Sequence, residues 1–429
     1  MQRLGKMIQQ MGRYRRQWET VMEASGAATS PLLMPDVPSR LTETAGFGSN
    51  PGNLRMLTYV PDSVSSSPAL VVVLHGCTQT AAGYDHGSGW SALADRYGFV
   101  LLYAEQQEAN NPKRCFNWFQ PGDIERDHGE THSIRQMVEH AVRRHGVDSS
   151  RIFVTGLSAG GAMTSTMLAT YPEVFAGGAI VAGLPYHCAT SVPEAFECMF
   201  QGQTRSAREW GDLVRNASPH RGPWPKVSVW HGSADATVKP MNAGEIIKQW
   251  TNVHAVSSDP TSSDTVDGYP HRAWTDASGE TVVEEYVITG MAHGTPLAVG
   301  NDENSYGAAG PFLLDVGISS SYRIAQFWGL TESSVDDAQK PADERPVSRK
   351  AYEGYPVVVS APEAQKPEVQ EPKVQEPEVL EPEILEPEWQ ELAASSTQNA
   401  KDGRSKSASS HLDIGAVITK ALRAAGLMK

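Results

Sequence analysis

The sequence is short of cysteine, of long apolar runs and of positive charge, and each shortage excludes a class of protein. No stretch of its 429 residues approaches the length of a membrane-spanning helix. Asp and Glu total 50 against 36 Lys and Arg, so no basic face is indicated and no nucleic-acid partner is expected. None of the four cysteines stands in a CxxC or Cys/His spacing, and no metal site is therefore predicted.

The N-terminus also lacks the continuous apolar core of a secretory signal, although the cysteine count complicates the question of location. On residues 1–28 alone, the sequence predicts a cytoplasmic protein. Four cysteines in one domain permit two disulfides, which would favour an oxidising compartment, whereas four buried reduced thiols fit the cytoplasm equally well. The four are Cys77, Cys115, Cys188 and Cys198.

Acidic charge is abundant, but more than half of the net charge of −14 lies in one segment near the C-terminus. Residues 361–391 contain ten Glu and two Lys, and hence carry a net charge of −8. Within this segment proline recurs every five residues among glutamates, which is typical of a stiff, extended spacer. Residues 336–409 are therefore predicted to be a disordered linker. The repeating prolines are Pro367, Pro372, Pro377, Pro382 and Pro387.

Both ends of the chain are predicted to be amphipathic helices. Residues 1–30 place Met, Leu and Trp side chains at helical spacing, with Arg and Lys between them. Residues 410–429 carry an apolar stripe from Ile414 to Ala425 and are too short to fold alone. We expect residues 1–30 to pack on the catalytic domain, with docking to a polyester or lipid surface as the alternative. Residues 410–429 are expected to dock on a surface or protein, with packing against the catalytic domain as the alternative.

The centre of the sequence contains a strand, a tight turn and a helix around one serine. Residues 151–163 read R-I-F-V-T-G-L-S-A-G-G-A-M, in which three apolar residues indicate a buried strand and the following small residues begin a helix. The G-x-S-x-G turn predicts a nucleophile elbow, because a Cβ at either glycine would collide with the neighbouring strand or helix. Ser158 is the predicted nucleophile and the Ala159 N–H a predicted oxyanion donor. An ordinary strand-to-helix turn is the alternative.

Two further residues complete a Ser…Asp…His order. Asp235 lies in a Gly/Ser-rich turn after a predicted strand at 227–230, where backbone can hold a carboxylate that orients an imidazole. His293 follows the predicted last strand, 282–288. This order, with each residue at the carboxyl end of a strand, is expected of an α/β-hydrolase. We therefore predict an α/β protein of the α/β-hydrolase fold, with a mostly parallel central sheet and helices on both faces.

Residues after two other predicted strands are candidates for the substrate cleft. The H-G-C-T-Q loop after strand 69–74 offers the Cys77 N–H as a second oxyanion donor, and His75 is expected to be structural because it precedes the serine. After strand 99–103, Trp118 is predicted to wall the cleft, with core filling as the alternative. The acids beyond Trp118 are expected to be solvated or helix-capping rather than a cation site: Asp123, Glu125, Asp127 and Glu130.

The chain resembles the polyhydroxybutyrate depolymerase family of esterases in five motifs, L-H-G-C-T-Q, C-F-N-W-F, G-L-S-A-G-G-A-M, H-G-S-A-D-A-T-V and G-M-A-H-G. The resemblance covers residues 40–330, and relatives of the family include feruloyl and acetylxylan esterases. It implies a carboxylic-ester hydrolase that needs no cofactor, with Ser158 as nucleophile, Asp235 and His293 as its partners and the Cys77 loop as oxyanion hole. Many members are secreted, which favours an extracellular location as the alternative.

The predicted organisation follows from these boundaries. A connection at 31–53 leads into a catalytic domain at 54–335, from which residues 186–224 form an excursion that caps the site. Because Cys77 and Cys115 lie in loops after neighbouring strands, we predict that they pair; Cys188 with Cys198 would form a second bridge within the cap.

The expected substrate is a short-chain polyester, poly(3-hydroxybutyrate) or its oligomers. A feruloyl or acetyl ester on plant polysaccharide is the alternative, since the same triad serves both and cannot distinguish them. A non-catalytic, surface-associated scaffold with a degenerate hydrolase fold is the third and least favoured interpretation.

Overall fold

The computed structural model describes Gly12, residues 39–300 and residues 302–331. All five motifs lie within these residues. Apart from Gly12, the predicted helix at 1–30 lies outside them, as do the linker at 336–409 and the helix at 410–429.

Twelve strands occur in the described part of the chain. Their bounds are β1 Thr42–Thr44, β2 Arg55–Tyr59, β3 Leu70–Leu74, β4 Val100–Glu105, β5 Ile152–Leu157, β6 Gly177–Val181, β7 Lys226–Gly232, β8 Ser262–Val266, β9 Tyr269–Thr275, β10 Thr281–Ile288, β11 Thr295–Leu297 and β12 Leu313–Asp315.

Nine helices accompany these strands in residues 39–300 and 302–331. Their bounds are α1 Ala81–Ser88, α2 Trp90–Tyr97, α3 Pro121–Ile124, α4 Gly129–His145, α5 Ala159–Thr170, α6 Val192–Phe200, α7 Ala207–Asn216, α8 Met241–Val253 and α9 Ser320–Phe327. Among these helices, none combines the length and the apolar character that crossing a bilayer requires.

Ten of the strands form one sheet in the order β1-β2-β4-β3-β5-β6-β7-β10-β9-β8. The six central strands, from β4 to β10 in this order, run parallel. Two antiparallel strands extend each side, β2 and β1 beyond β4, and β9 and β8 beyond β10. The mostly parallel central sheet predicted from the sequence is therefore confirmed.

Side chains of the central strands alternate between two hydrophobic layers, one on each face of the sheet. In β3, Leu70 and Val72 join the layer that contains Ile134 of α4. Val71 points the other way and joins the layer that contains Trp90 of α2. Each fully buried Val or Leu side chain contributes about 1.5–3 kcal/mol. Because both faces are covered, the strands have continuous apolar sequences, which is why they could be predicted.

The strand pattern predicted from the sequence is incomplete. Residues 282–288 were predicted to be the last strand, but β11 and β12 follow and pair in parallel with each other. Each has three residues, too few to give a periodic signal. The antiparallel pair β8 and β9 also lies outside the prediction, because β8 is polar and four of its five residues are exposed.

Candidate active site

Ser158 lies at the sharp turn between β5 and α5. Its backbone adopts φ 57° and ψ −114°, a conformation that residues other than glycine rarely adopt. The turn is held by the Ser158 N–H, which donates to the Val181 carbonyl of β6 at 2.9 Å. Strained backbone of this kind persists only where its surroundings enforce it, and it is concentrated at active sites.

The glycines on either side of Ser158 leave no room for side chains. A Cβ on Gly156 would lie 2.5 Å from the carbonyl carbon of Gly160, and a Cβ on Gly160 would lie 2.3 Å from the carbonyl oxygen of Leu74. The predicted reason for the two glycines is therefore confirmed. The same close approach brings the end of β3, and the loop that begins at His75, against the first turn of α5.

The three residues of the predicted triad are in hydrogen-bond contact. His293 Nε2 lies 2.9 Å from Ser158 Oγ, and His293 Nδ1 lies 2.7 Å from Asp235 Oδ2. Ser158 is 6% exposed and Asp235 2% exposed, so the contacts are shielded from bulk water. This order of contacts allows an imidazole to take a proton from the serine while a carboxylate fixes its tautomer.

Asp235 is held in its ionised form by several donors. Its Oδ1 accepts hydrogen bonds from the backbone N–H groups of Thr237 and Val238 at 2.8 and 2.9 Å. Burial by itself would raise the pKa of Asp235, but the charge of His293 and the hydrogen bonds from His231 and His293 outweigh burial and lower this pKa well below its usual range. The carboxylate is therefore charged at neutral pH.

His231 is a second histidine on the triad carboxylate, which the sequence analysis did not single out. Its Nε2 lies 2.8 Å from the Val238 carbonyl and 3.3 Å from Asp235 Oδ2. Its Nδ1 has no hydrogen-bond partner among the described residues. The H-G-S-A-D motif could have indicated this contact. Its histidine lies at a strand end, and the turn that follows brings the acid, four residues later, next to the imidazole.

The loops that carry Asp235 and His293 are joined by backbone hydrogen bonds. The Ser233 N–H donates to the Ile288 carbonyl and the Ala234 N–H to the Met291 carbonyl, both at 3.0 Å. A Cβ on Gly232 would lie 2.3 Å from the same Met291 oxygen. The pairing of β7 with β10 therefore fixes the separation of the acid and the base.

Of the two predicted oxyanion donors, Ala159 directly follows Ser158, and Cys77 lies in the loop that approaches the first turn of α5 at His75. Ala159 is the first residue of α5, and its N–H has no acceptor among the described residues, as expected at a helix start. The Cys77 N–H likewise has no such acceptor, although the neighbouring Thr78 N–H donates to the Lys113 carbonyl at 2.6 Å. The oxyanion roles of Ala159 and Cys77 remain predictions.

The predicted bridge between Cys77 and Cys115 is confirmed, with an S–S distance of 2.09 Å. The prediction that Cys188 pairs with Cys198 is wrong. Both are free thiols buried within the 186–224 excursion, and Cys198 Sγ donates to the Cys188 carbonyl oxygen at 2.9 Å instead of bonding to the Cys188 sulfur. Their sequence spacing permits a bridge, but α6 directs the Cys198 side chain toward backbone.

Trp118 lies beside the elbow and is 6% exposed. Its side chain belongs to a hydrophobic cluster with Ala159 and Ala162 of α5 and with residues of α6 and α7, which the 186–224 excursion forms. It meets Phe119 edge to face at a centroid distance of 5.4 Å. Trp118 therefore borders the nucleophile's helix, and its contact with substrate remains a prediction.

Glu130 departs from the solvated or helix-capping role expected of the acidic run. It is 1% exposed at the start of α4, and its carboxylate accepts hydrogen bonds from both the backbone and the side chain of Asn117 at 2.9 Å. Gln106 Nε2 is a third donor. Burial raises the pKa of Glu130, and nearby Asp123 raises it further, against the three hydrogen bonds, which lower it.

His75 is structural, as its place before the serine predicts. It is 1% exposed, its Nδ1 lies 2.7 Å from the Gly76 carbonyl, and its Nε2 accepts from the Gln106 N–H at 3.1 Å. Burial lowers the pKa of His75, so the ring is neutral. Through its hydrogen bond with Gln106, the ring connects the end of β3 to the end of β4.

Comparison with known proteins identifies the family. The family described as "Esterase PHB depolymerase" matches residues 55–263. Poly(3-hydroxyalkanoate) depolymerase C of Paucimonas lemoignei is 52% identical over 291 residues, which is 68% of this chain and 70% of that protein. An acetylxylan esterase of Coprinopsis cinerea is 37% identical over 63% of this chain and 73% of its own length. Feruloyl esterase B of Neurospora crassa is 36% identical over 60% of this chain and 88% of its own length.

The fold agrees with these sequence relationships. The solved structure of an acetyl xylan esterase from Aspergillus awamori matches with a TM-score of 0.58 and 27% identity, covering 68% of this chain and 99% of that one. The predicted α/β-hydrolase fold and carboxylic-ester hydrolase activity are confirmed, which leaves the non-catalytic scaffold without support. The chain belongs to the esterase PHB depolymerase family.

Proposed function

We propose that this chain hydrolyses poly(3-hydroxyalkanoate), in particular poly(3-hydroxybutyrate) and its oligomers, through an acyl-enzyme on Ser158. The observation that carries the proposal is the unbroken contact from Ser158 through His293 to Asp235. The substrate class is supported by the 52% identity to a poly(3-hydroxyalkanoate) depolymerase, against 37% and 36% for the acetylxylan and feruloyl esterases.

In the first half of the reaction, Ser158 Oγ attacks the ester carbonyl while His293 Nε2 takes the serine proton. Asp235 holds the Nδ1–H tautomer of His293 and stabilises the imidazolium that forms. His293 then returns the proton to the leaving alkoxide oxygen, which departs as an alcohol. In the second half, His293 activates water in the same way, and hydrolysis of the acyl-enzyme releases the acid.

The negative charge of each tetrahedral intermediate is placed at the start of α5. The Ala159 N–H and the Cys77 N–H donate to this oxygen, and the positive end of the α5 dipole supports them. Loss of one such donor reduces kcat by about 100- to 1,000-fold in serine hydrolases. Trp118 forms the apolar wall against which the acyl chain packs.

A substrate panel tests the proposal on wild type and Ser158→Ala. The wild type is expected to clear a suspension of poly(3-hydroxybutyrate) granules faster than it releases ferulate or acetate from xylan. Ser158→Ala is expected to lower kcat on p-nitrophenyl butyrate by at least about 1,000-fold, because the nucleophile is gone. Near-wild-type turnover by Ser158→Ala would refute the assignment of Ser158 as nucleophile. Faster release of ferulate or acetate from xylan than clearing of granules would instead identify an ester on plant polysaccharide as the substrate.

A further inference from the structure

Glu130 is a buried carboxyl that no Lys or Arg neutralises within the described residues. None of the ion pairs in residues 39–300 and 302–331 includes it. Instead, three N–H donors converge on its two oxygens: the Asn117 backbone, the Asn117 amide and the Gln106 amide. A buried carboxyl met only by neutral donors is costly, since one missing donor leaves an oxygen unsatisfied. A group retained under such conditions calls for an explanation beyond packing.

All three donors lie on the loop that borders the site. Gln106 follows β4 directly, and the same amide nitrogen that contacts Glu130 also lies 3.2 Å from the Cys115 carbonyl. Asn117 stands immediately before Trp118. Glu130 therefore holds both ends of this loop, at residue 106 and at residue 117, from the start of α4.

Through Gln106 and Asn117, Glu130 is also connected to the oxyanion loop, by two separate routes. Cys115 is bonded covalently to Cys77. The Gln106 N–H donates to His75 Nε2, and His75 directly follows β3 and precedes the same loop. A displacement of Gln106 or Asn117 would thus move Cys77 through the disulfide and through His75.

We propose that Glu130 is a positioning residue for ester hydrolysis, which holds the Cys77 N–H and Trp118 at the distances that acyl transfer requires. It touches neither the substrate nor the reacting atoms and acts through Gln106, Asn117 and Cys115. The inference rests on the proposed roles of Ser158 and Cys77. Errors of about 1 Å in such a group cost on the order of 100-fold in rate.

The test is the substitution Glu130→Gln, with Glu130→Ala as a second variant that removes the acceptors altogether. Glutamine keeps the shape but replaces one oxygen by an NH₂ group, so at least one of the three converging donors meets another donor. The matched control is Glu139→Gln. Glu139 lies on the same helix, is half exposed and, among the described residues, forms ion pairs with Arg135 and Arg143 alone.

Each variant is titrated to completion with a fluorophosphonate, which counts reactive sites, and kcat is expressed per titrated site. We expect kcat on p-nitrophenyl acetate to fall by roughly 10- to 100-fold for Glu130→Gln, with KM changed less than threefold. The fluorophosphonate labelling rate should fall in parallel, because it uses the same oxyanion donors. The acetyl group is too small to depend on the Trp118 wall, so this loss reports on Cys77.

A purely structural role predicts a different result. It would lower the melting temperature and the number of titrated sites but leave kcat per site within twofold of wild type, and that outcome for both Glu130 variants would overturn the proposal. An equal loss in Glu139→Gln would also overturn it. Failure of the proposed function would be recognised separately, by retained activity in Ser158→Ala.

Discussion

His254 is a partly buried histidine outside the triad, and its environment predicts how stability changes with pH. It follows α8, and its Nε2 donates to the Pro225 carbonyl at 3.0 Å. Burial lowers the pKa of His254 to about 4, although the Pro225 hydrogen bond opposes this shift. Between pH 6.5 and 4 the unfolded chain thus binds a proton that the folded chain does not, so the free energy of unfolding decreases as pH falls through this window.

We expect His254 to account for up to about 3 kcal/mol of this decrease. In His254→Gln, whose amide can still donate to Pro225, the unfolding free energy should change less between pH 6.5 and 4. Urea denaturation at several pH values measures both slopes. Identical slopes in variant and wild type would contradict the assignment.

At the scale of residues, the sequence predicted the contacts of the triad, which depend on strand ends, and missed the contacts of Glu130, which depend on a loop. Ser158, Asp235 and His293 could be found because parallel strands bring their carboxyl ends to one edge of the sheet. Glu130 could not, because its burial depends on a loop folding back over the start of α4. An acid in a charged, Gly-containing stretch has the same local pattern whether it is solvated or enclosed.

The disulfide between Cys77 and Cys115 makes a prediction at the scale of structural elements. The two cysteines are 38 residues apart, and closing a loop of this length restricts the unfolded chain by about 3–4 kcal/mol of free energy. The double variant Cys77→Ala/Cys115→Ala is therefore expected to lose about this much unfolding free energy in chemical denaturation.

Counting thiols provides the control for this experiment. Alkylation of unreduced, denatured wild type should modify Cys188 and Cys198 alone, and the double variant Cys188→Ala/Cys198→Ala should take up no label. Four modified cysteines in protein never exposed to reductant would contradict the observed pairing.

Elements with continuous apolar sequence were predictable, whereas polar or very short ones were not. The strand 69–74 was predicted within one residue of β3, because burial on both faces selects Val and Leu throughout. By contrast, β8 reads S-S-D-T-V, which resembles a turn sequence. β8 pairs with β9 along one edge only, and β9 in turn pairs with β10, so β8 is the outermost strand on this side of the sheet and its sequence carries no apolar pattern.

At the scale of the whole molecule, residues 361–429 are predicted to serve attachment rather than chemistry. The segment joins a Glu-Pro spacer to a predicted amphipathic helix, and the 25 residues 366–390 would span up to about 75 Å if extended. Deleting residues 361–429 should leave hydrolysis of p-nitrophenyl butyrate nearly unchanged while weakening binding to, and clearing of, poly(3-hydroxybutyrate) granules, because tethering raises effective concentration.

A matched control separates attachment from folding. Deleting only residues 410–429 keeps the spacer and should reproduce the loss on granules. If either deletion lowers both the activity on the soluble ester and the melting temperature, the tail is part of the folded enzyme and the attachment hypothesis is wrong.

The two described edges of the ten-stranded sheet have a consequence if the enzyme gathers on polymer particles. Enzyme molecules concentrated on a polymer particle lie close to one another. A long, flat, unpaired edge strand could then form hydrogen bonds with the edge strand of a neighbouring molecule. Here one described edge, β1, is three residues long, and the other, β8, carries the charged Asp264 among exposed polar residues. Neither described edge therefore offers the long, flat, uncharged strand on which the sheets of neighbouring molecules join.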